Sequence, residues 1–150
     1  MRKGKVMSEF DAKKYLDAQN ASYDGYDQAL SEIRRGKKVS HWIWYIFPQI
    51  KGLGRSGTSQ YYALGSLDEA KEYLQNQLLR ERLIEISEAL LENNGRIESI
   101  VGYVDAMKVQ SCMTLFHKAD PDIEVFCKVL DKFYGGQADQ KTLQIIERQE

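Results

Sequence analysis

The chain has 150 residues, a formal net charge of -1, 43% hydrophobic residues and 29% charged residues. That length supports one domain with a real core, and the composition is ordinary for a folded globular protein. A charge this close to zero argues against broad, sequence-blind nucleic-acid binding, which relies on a net basic surface, and leaves room only for a local basic patch at Lys37-Lys38 or around Lys51 and Arg55. No apolar run approaches the roughly 20 residues that span a membrane.

Residues Met1 to Lys5 are basic, but no apolar segment follows, so they do not read as a secretory signal. Met7 is an alternative start, which makes residues 1–7 a flexible tail. Ala12, Tyr15 and Leu16 share one face of a first helix. Tyr23, Tyr26, Leu30 and Ile33 follow helical spacing in a second, with Arg34 and Arg35 in its last turn and Gly36 closing it. Ser40 is a good N-cap for the run Trp42 to Phe47, and Pro48 ends that run. The run is apolar throughout, so periodicity does not separate helix from strand. No second run of its kind exists to pair with it, and a lone strand leaves its backbone unsatisfied, so it is read as a short buried helix.

After a glycine-rich loop, Ser66 and Glu69 have capping-box spacing ahead of Ala70, Tyr73 and Leu74. Leu79, Leu83, Ile86 and Leu90 form the clearest amphipathic stripe, stopped by Asn93-Asn94-Gly95. Ile97, Ile100 and Val101 predict a helical turn ending at Gly102, and Asp105 to His117 a longer helix. Asp120-Pro121 reads as an N-cap followed by proline at the first helical position, with Phe126, Val129, Leu130 and Phe133 on the buried face and Gly135-Gly136 at the end. A last short helix carries Leu143, Ile145 and Ile146. The expectation is an all-α, single compact domain. Cys112 and Cys127 fall on helices among apolar neighbours and read as buried reduced thiols.

Candidate chemistry concentrates between Ser40 and Ser56. Gly52-Leu53-Gly54-Arg55-Ser56-Gly57 matches G-x-G-x-x-G, but a dinucleotide site needs a parallel sheet around it and the chain supplies no further strands. What remains is either an anion-binding loop with the cations Lys51 and Arg55 or a solvated surface turn. His41, in the first turn of the aromatic helix, either packs and caps or serves as a neutral donor or acceptor. Trp42 and Trp44 are either core or a stacking wall for a base or sugar. Lys108, Ser111, Cys112 and Leu115 share a helical face, so Lys108 needs a partner, either a ligand anion or an internal acceptor. His117, at a helix C-terminus, is given no catalytic role. The acidic residues fall mostly on exposed faces, and no zinc spacing, nucleophile elbow or P-loop appears.

The blocks Ser40 to Gln49, Gly52-Leu53-Gly54-Arg55-Ser56 and Lys108 to Phe116 resemble the signature of a bacterial domain of unknown function, family 1810. The similarity runs from about Phe10 to Ile146 in the order of that family's blocks. It implies a single, mainly helical, cytoplasmic protein. Some members carry the label calpastatin; true calpain inhibitors are disordered and this composition is that of a folded domain, so that function is not carried over.

A second likeness is to the helical NADAR/YbiA-type N-glycosidases, which act on ribose-linked, ADP-ribose-like substrates. It rests on Thr58-Ser59-Gln60-Tyr61-Tyr62, on Lys108 leading into Met113-Thr114-Leu115-Phe116, and on Phe126, Val129 and Leu130. Gln60 stands where that superfamily has an acidic residue, which separates nucleotide-like binding from glycosidic cleavage.

The resulting expectation is a cytoplasmic domain that binds an anionic nucleotide-like or ADP-ribose-like metabolite, with processing of it left open. Lys51 and Arg55 would hold phosphate. Gln49, Ser56 and the face from Lys108 to Ser111 would supply polar contacts. Trp42 or Trp44 would stack together with Tyr61, and His41, Gly52 and Gly54 complete the set. No cofactor and no metal are implied. The alternative is a protein–protein interaction domain without catalysis. Convergence of Gln49, Arg55, Lys108 and Ser111 on one concave pocket supports the first; scatter, or consumption of Arg55 and Lys108 in internal salt bridges, supports the second or a purely structural role.

Overall fold

Asp11 opens the first helix: its carboxylate accepts the Lys13 amide at 3.0 Å, and α1 runs over Ala12–Gln19. The structure, a computed structural model, describes residues 10–150; the expected tail over residues 1–7 lies outside them. α2 is Tyr26–Arg34 and ends in a turn at Gly36. Tyr23 is not on it. Asp24 takes a left-handed φ of 57° and Gly25 is the N-cap, so helical spacing counted from Tyr23 is broken, and that side chain stands 84% exposed.

The aromatic run forms α3, Ile43–Ile46, a single turn. Its N-cap is Trp42, without a side-chain cap, rather than Ser40. Ser40 bonds instead to the Glu32 carboxylate through both its amide and its hydroxyl, and its hydroxyl oxygen accepts from Gln28 Nε2 rather than from a helix amide. His41 consequently precedes the helix instead of sitting in its first turn. Trp42, Ile43, Ile46 and Phe47 are buried, as the reading of a buried helix requires.

α4 (Gly57–Tyr62) and α5 (Leu67–Gln75) start on Ser56 and Ser66, each of which caps the amide three residues on. Glu69 accepts from the Gly65 amide at 3.1 Å, one residue before the Ser66 amide on which a capping box would close. α6 (Gln77–Leu91) buries all four residues of the Leu79, Leu83, Ile86 and Leu90 stripe. α7 is Ile97–Val101 and α8 is Tyr103–Ala119. α9 is Glu124–Tyr134, with Ile123 as N-cap. Asp120-Pro121 therefore does not start α9. Asp120 closes α8, and its carboxylate accepts the Asp122 amide at 3.1 Å in the intervening turn. α10 is Gln140–Gln149.

The described residues contain these ten helices and no strand, only an isolated parallel bridge between Ile50 and Leu64. α8 is the central element. Residues Ser111 to Phe116 are all buried, and α5, α7, α9 and α10 pack around it; a helix apolar nearly all round belongs in a core. α6 bridges α9, α5 and α2. Tyr15, Tyr73, Phe116 and Phe126 pack edge-to-face and tilted into an aromatic spine with centroids 5.2–5.9 Å apart. Burial pushes the Tyr15 and Tyr73 phenols up, and Tyr15 donates to the Tyr62 carbonyl at 2.6 Å. Cys112 is a buried free thiol, as expected, whereas Cys127 is only half-buried on the outer part of α9.

Candidate functional site

Pro48 releases the chain from α3 into the glycine loop, and two hydrogen bonds fix the base of that loop. Leu64 donates to the Gln49 carbonyl at 2.8 Å, and Lys51 donates to the Leu64 carbonyl at 2.7 Å. Gly52 holds a φ of 110°, and a Cβ there would lie 3.2 Å from the end of Ile145 on α10. Gly54 is required by proximity: a Cβ would meet Ser59 Oγ at 2.5 Å and face Trp44. Gly52 and Gly54 thus serve close packing, whereas Gly57 faces open space.

α10 braces both sides of this region. Asp139 accepts from Ser111 Oγ at 3.0 Å and from the Thr142 amide at 3.1 Å, and its own amide donates to Thr114 Oγ1 at 2.8 Å. At the other end Gln149 donates to the Gly65 carbonyl at 2.9 Å.

Between the loop and α8 lies an open cleft of about 200 Å³. Trp44, Gln49, Leu53 and Gly54 form one wall; Val104, Met107, Lys108 and Ser111 form the other. The second wall is a helical stripe, spaced 3, 1 and 3 residues. Lys108 Nζ lies 4.1 Å from the centre of the Trp44 ring and 3.0 Å from Asp105 Oδ1. Asp105 Oδ2 in turn holds Lys38 Nζ at 2.9 Å, and Lys38 lies over Trp42 at 5.0 Å. The Trp42 indole donates to Glu32 Oε1 at 2.9 Å. Two carboxylates, two ammoniums and two indoles therefore alternate from the core to the cleft.

Glu32 anchors the inner end at 1% exposure. Burial pushes its carboxyl up, but hydrogen bonds from the Ser40 hydroxyl, the Val39 amide, the Trp42 indole and the Ser40 amide more than reverse this, down to about 2. At the outer end Gln49 behaves oppositely. Its side chain is 7% exposed, yet Nε2 has no hydrogen-bond partner. Buried amide donors are nearly always paired. Gln49 also lines a void of about 10 Å³ behind the cleft, with Lys51, Gly52 and Ser59, which has room for one water at most. An NH2 group carries two donors, so that void accounts for one at most.

Five of the expected residues converge on the cleft: Trp44, Gln49, Gly54, Lys108 and Ser111. Lys51 and Gly52 border the small void next to it. The others lie elsewhere. Trp42 is fully buried core. His41 is exposed, its amide on Asp24 at 3.3 Å. Ser56 is occupied as the cap of α4. Tyr61 is 57% exposed under Lys14, 4.8 Å away. Arg55 is exposed and does not line the cleft. Among the described residues neither Lys51 nor Arg55 forms an ion pair.

Sequence reasoning missed Glu32, Lys38 and Asp105 as the support of Lys108, and Leu53, Val104 and Met107 as cleft lining. The helical spacing of 104, 107, 108 and 111 was a usable signal for two of these. Nothing local marks Glu32.

No group of His, Cys, Asp and Glu among the described residues is arranged to hold a metal. No helix among them is long and apolar enough to cross a membrane. The fold is similar to that of the conserved hypothetical protein Rv1873 from Mycobacterium tuberculosis, with a TM-score of 0.88 and 39% identity over 92% of this chain and 97% of that one. No curated protein matches the chain. The family described as protein of unknown function (DUF1810) matches residues 9–146, nearly the whole chain, and the protein belongs to that family.

Proposed function

We propose that this protein is a binding domain for a small nucleotide-like anion, with the cleft between the glycine loop and α8 as its site. The observation that carries this is Gln49 Nε2, a buried amide donor without a partner in the wall of a cleft that also holds Lys108. A buried donor left unpaired costs about 1–3 kcal/mol, and a ligand acceptor recovers that cost. Lys108 keeps donor capacity, since an ammonium carries three N–H groups and Asp105 takes one. At about 200 Å³ the cleft is smaller than the roughly 300–1,000 Å³ of sites for drug-sized ligands. It therefore takes one ring, and the rest of the ligand lies outside it, toward the glycine loop that carries Lys51 and Arg55.

No carboxylate lines the cleft, and Gln60 is exposed on α4. A general acid for glycosidic cleavage is thus not supplied by its walls, and the likeness to the NADAR-type enzymes is carried over as ligand class only. Cytoplasmic residence belongs to the same proposal; the two free thiols fit a reducing compartment.

A second reading has one observation in its favour. Tyr103, Val104 and Met107 are 74%, 58% and 55% exposed on the first turns of α8, and contiguous exposed apolar groups mark protein interfaces. A thermal-shift panel of nucleotides, ADP-ribose, NAD and sugar phosphates separates the two. A ligand at 100 times its Kd adds about 2.7 kcal/mol, a rise in Tm of about 5–10 °C at this length. That rise disappears in Lys108→Ala and shrinks in Arg55→Ala. A flat panel sinks the metabolite reading and leaves the apolar turn of α8 as the functional surface.

A further inference from the structure

We infer that the group seated in the cleft is a planar ring bearing a carboxylate, not a phosphate. The inference rests on the ligand-binding reading above and narrows it to one chemical class. Two donors on the walls seek an acceptor: the buried, unpaired Gln49 NH2 and the Lys108 ammonium. The Ser111 hydroxyl proton is already engaged between the Met107 carbonyl at 3.1 Å and Asp139 at 3.0 Å. An acceptor that takes both donors is therefore required, and an ionised carboxylate is one.

Charge sets the second limit. Glu32, Lys38, Asp105 and Lys108 sum to zero along the chain of contacts that ends at the cleft. The single cation on the walls already shares Asp105. One such ammonium and one amide match a monoanion. A phosphate dianion is held most firmly by arginine forks, and no arginine lines this cleft. The remaining lining, Trp44, Leu53, Val104 and Met107, is apolar and suits the faces and edge of a ring.

Three probes with one ring and different head groups test this: benzoate, benzamide and phenyl phosphate, titrated into the full 15N-labelled chain. The Trp44 indole and Gln49 side-chain amide signals are the readout. Benzoate is expected to shift both signals and to bind at least about ten-fold more tightly than phenyl phosphate. Lys108→Met is expected to weaken benzoate by about ten-fold and leave benzamide nearly unchanged, while Gln49→Leu weakens both by about five-fold. Melting curves of both variants verify that they fold. Phenyl phosphate binding as tightly as benzoate at these two signals overturns the carboxylate assignment and leaves the ligand site standing. Silence to all three probes, with a response to ADP-ribose, does the same. Silence to every probe and to the nucleotide panel overturns both the inference and the reading it rests on.

Discussion

Trp42 and Trp44 are two residues apart and chemically identical, yet their surroundings are opposites. Around Trp42 every polar partner is matched: its indole donates to Glu32, and Glu32 also accepts from Val39 and Ser40. Around Trp44 the matching stops. Its ring is half-buried beside an unpartnered amide and an ammonium that leans on it. A closed polar network stores stability, whereas an incomplete one stores binding capacity at a cost in stability. The protein places one of each at the two ends of a single chain of contacts.

The largest way to break this contrast is Trp42→Ala, which removes a fully buried indole and is expected to cost about 3–5 kcal/mol, or about 6–20 °C in Tm. Trp44→Ala should cost under about 2 kcal/mol, because part of its surface is already solvated. Equal losses in chemical denaturation would erase the distinction.

Next in size is Glu32→Gln, expected to cost about 2–4 kcal/mol, since an amide cannot accept from all the donors that converge there. This variant also carries a pH signature. The folded carboxyl titrates at about 2 against about 4.3 in an unfolded chain. Its contribution, on the order of 3 kcal/mol, is fully present above the unfolded value and is lost as pH falls from there toward 2. Unfolding free energy measured across that window should drop more steeply in the native chain than in Glu32→Gln, and parallel curves would rule out the network.

A third, smaller effect tests the loop. Gly54→Ala places a methyl 2.5 Å from Ser59 Oγ, and overpacking of this kind costs about 1–3 kcal/mol. The same change at Gly57, where nothing lies within 4 Å, should stay within about 0.5 kcal/mol. The smallest expected stability change is the sharpest test of the Trp44 side. Gln49→Leu removes a buried unpartnered donor, so stability should stay level or rise by up to about 1 kcal/mol while ligand response falls. A loss of about 2 kcal/mol or more would mean that Gln49 has a structural partner.

Much of the fold was legible because helices announce themselves locally. The stripe in α6, the serine cap of α5 and the glycine stops needed only neighbours within a few residues, whereas α4 and its Ser56 cap were not legible, Ser56 reading as a ligand contact. The misreadings share a cause as well. Tyr23, Ser40 and Asp120 each matched a local pattern, but a left-handed Asp24, a buried Glu32 and the end of α8 claimed those positions instead. At the site, Trp44, Gln49, Gly54, Lys108 and Ser111 were legible as candidates by residue type and position. Which of them had ligands to spare was not, because Ser111 is engaged by a residue 28 positions away and Lys38 reaches Asp105 across α7.

The amino-acid order alone determined the helical class, the short buried turn at Trp42 to Phe47 and the glycine loop after it, since these rest on periodicity, proline and caps that act over one or two turns. Only the tertiary structure decided which tryptophan is core, which lysine faces a cleft and which polar group is left unpaired. Those outcomes depend on burial and charge contributed by distant segments, above all Glu32, Asp105 and Asp139, whose sequences look like ordinary solvated helix positions until the chain closes around them.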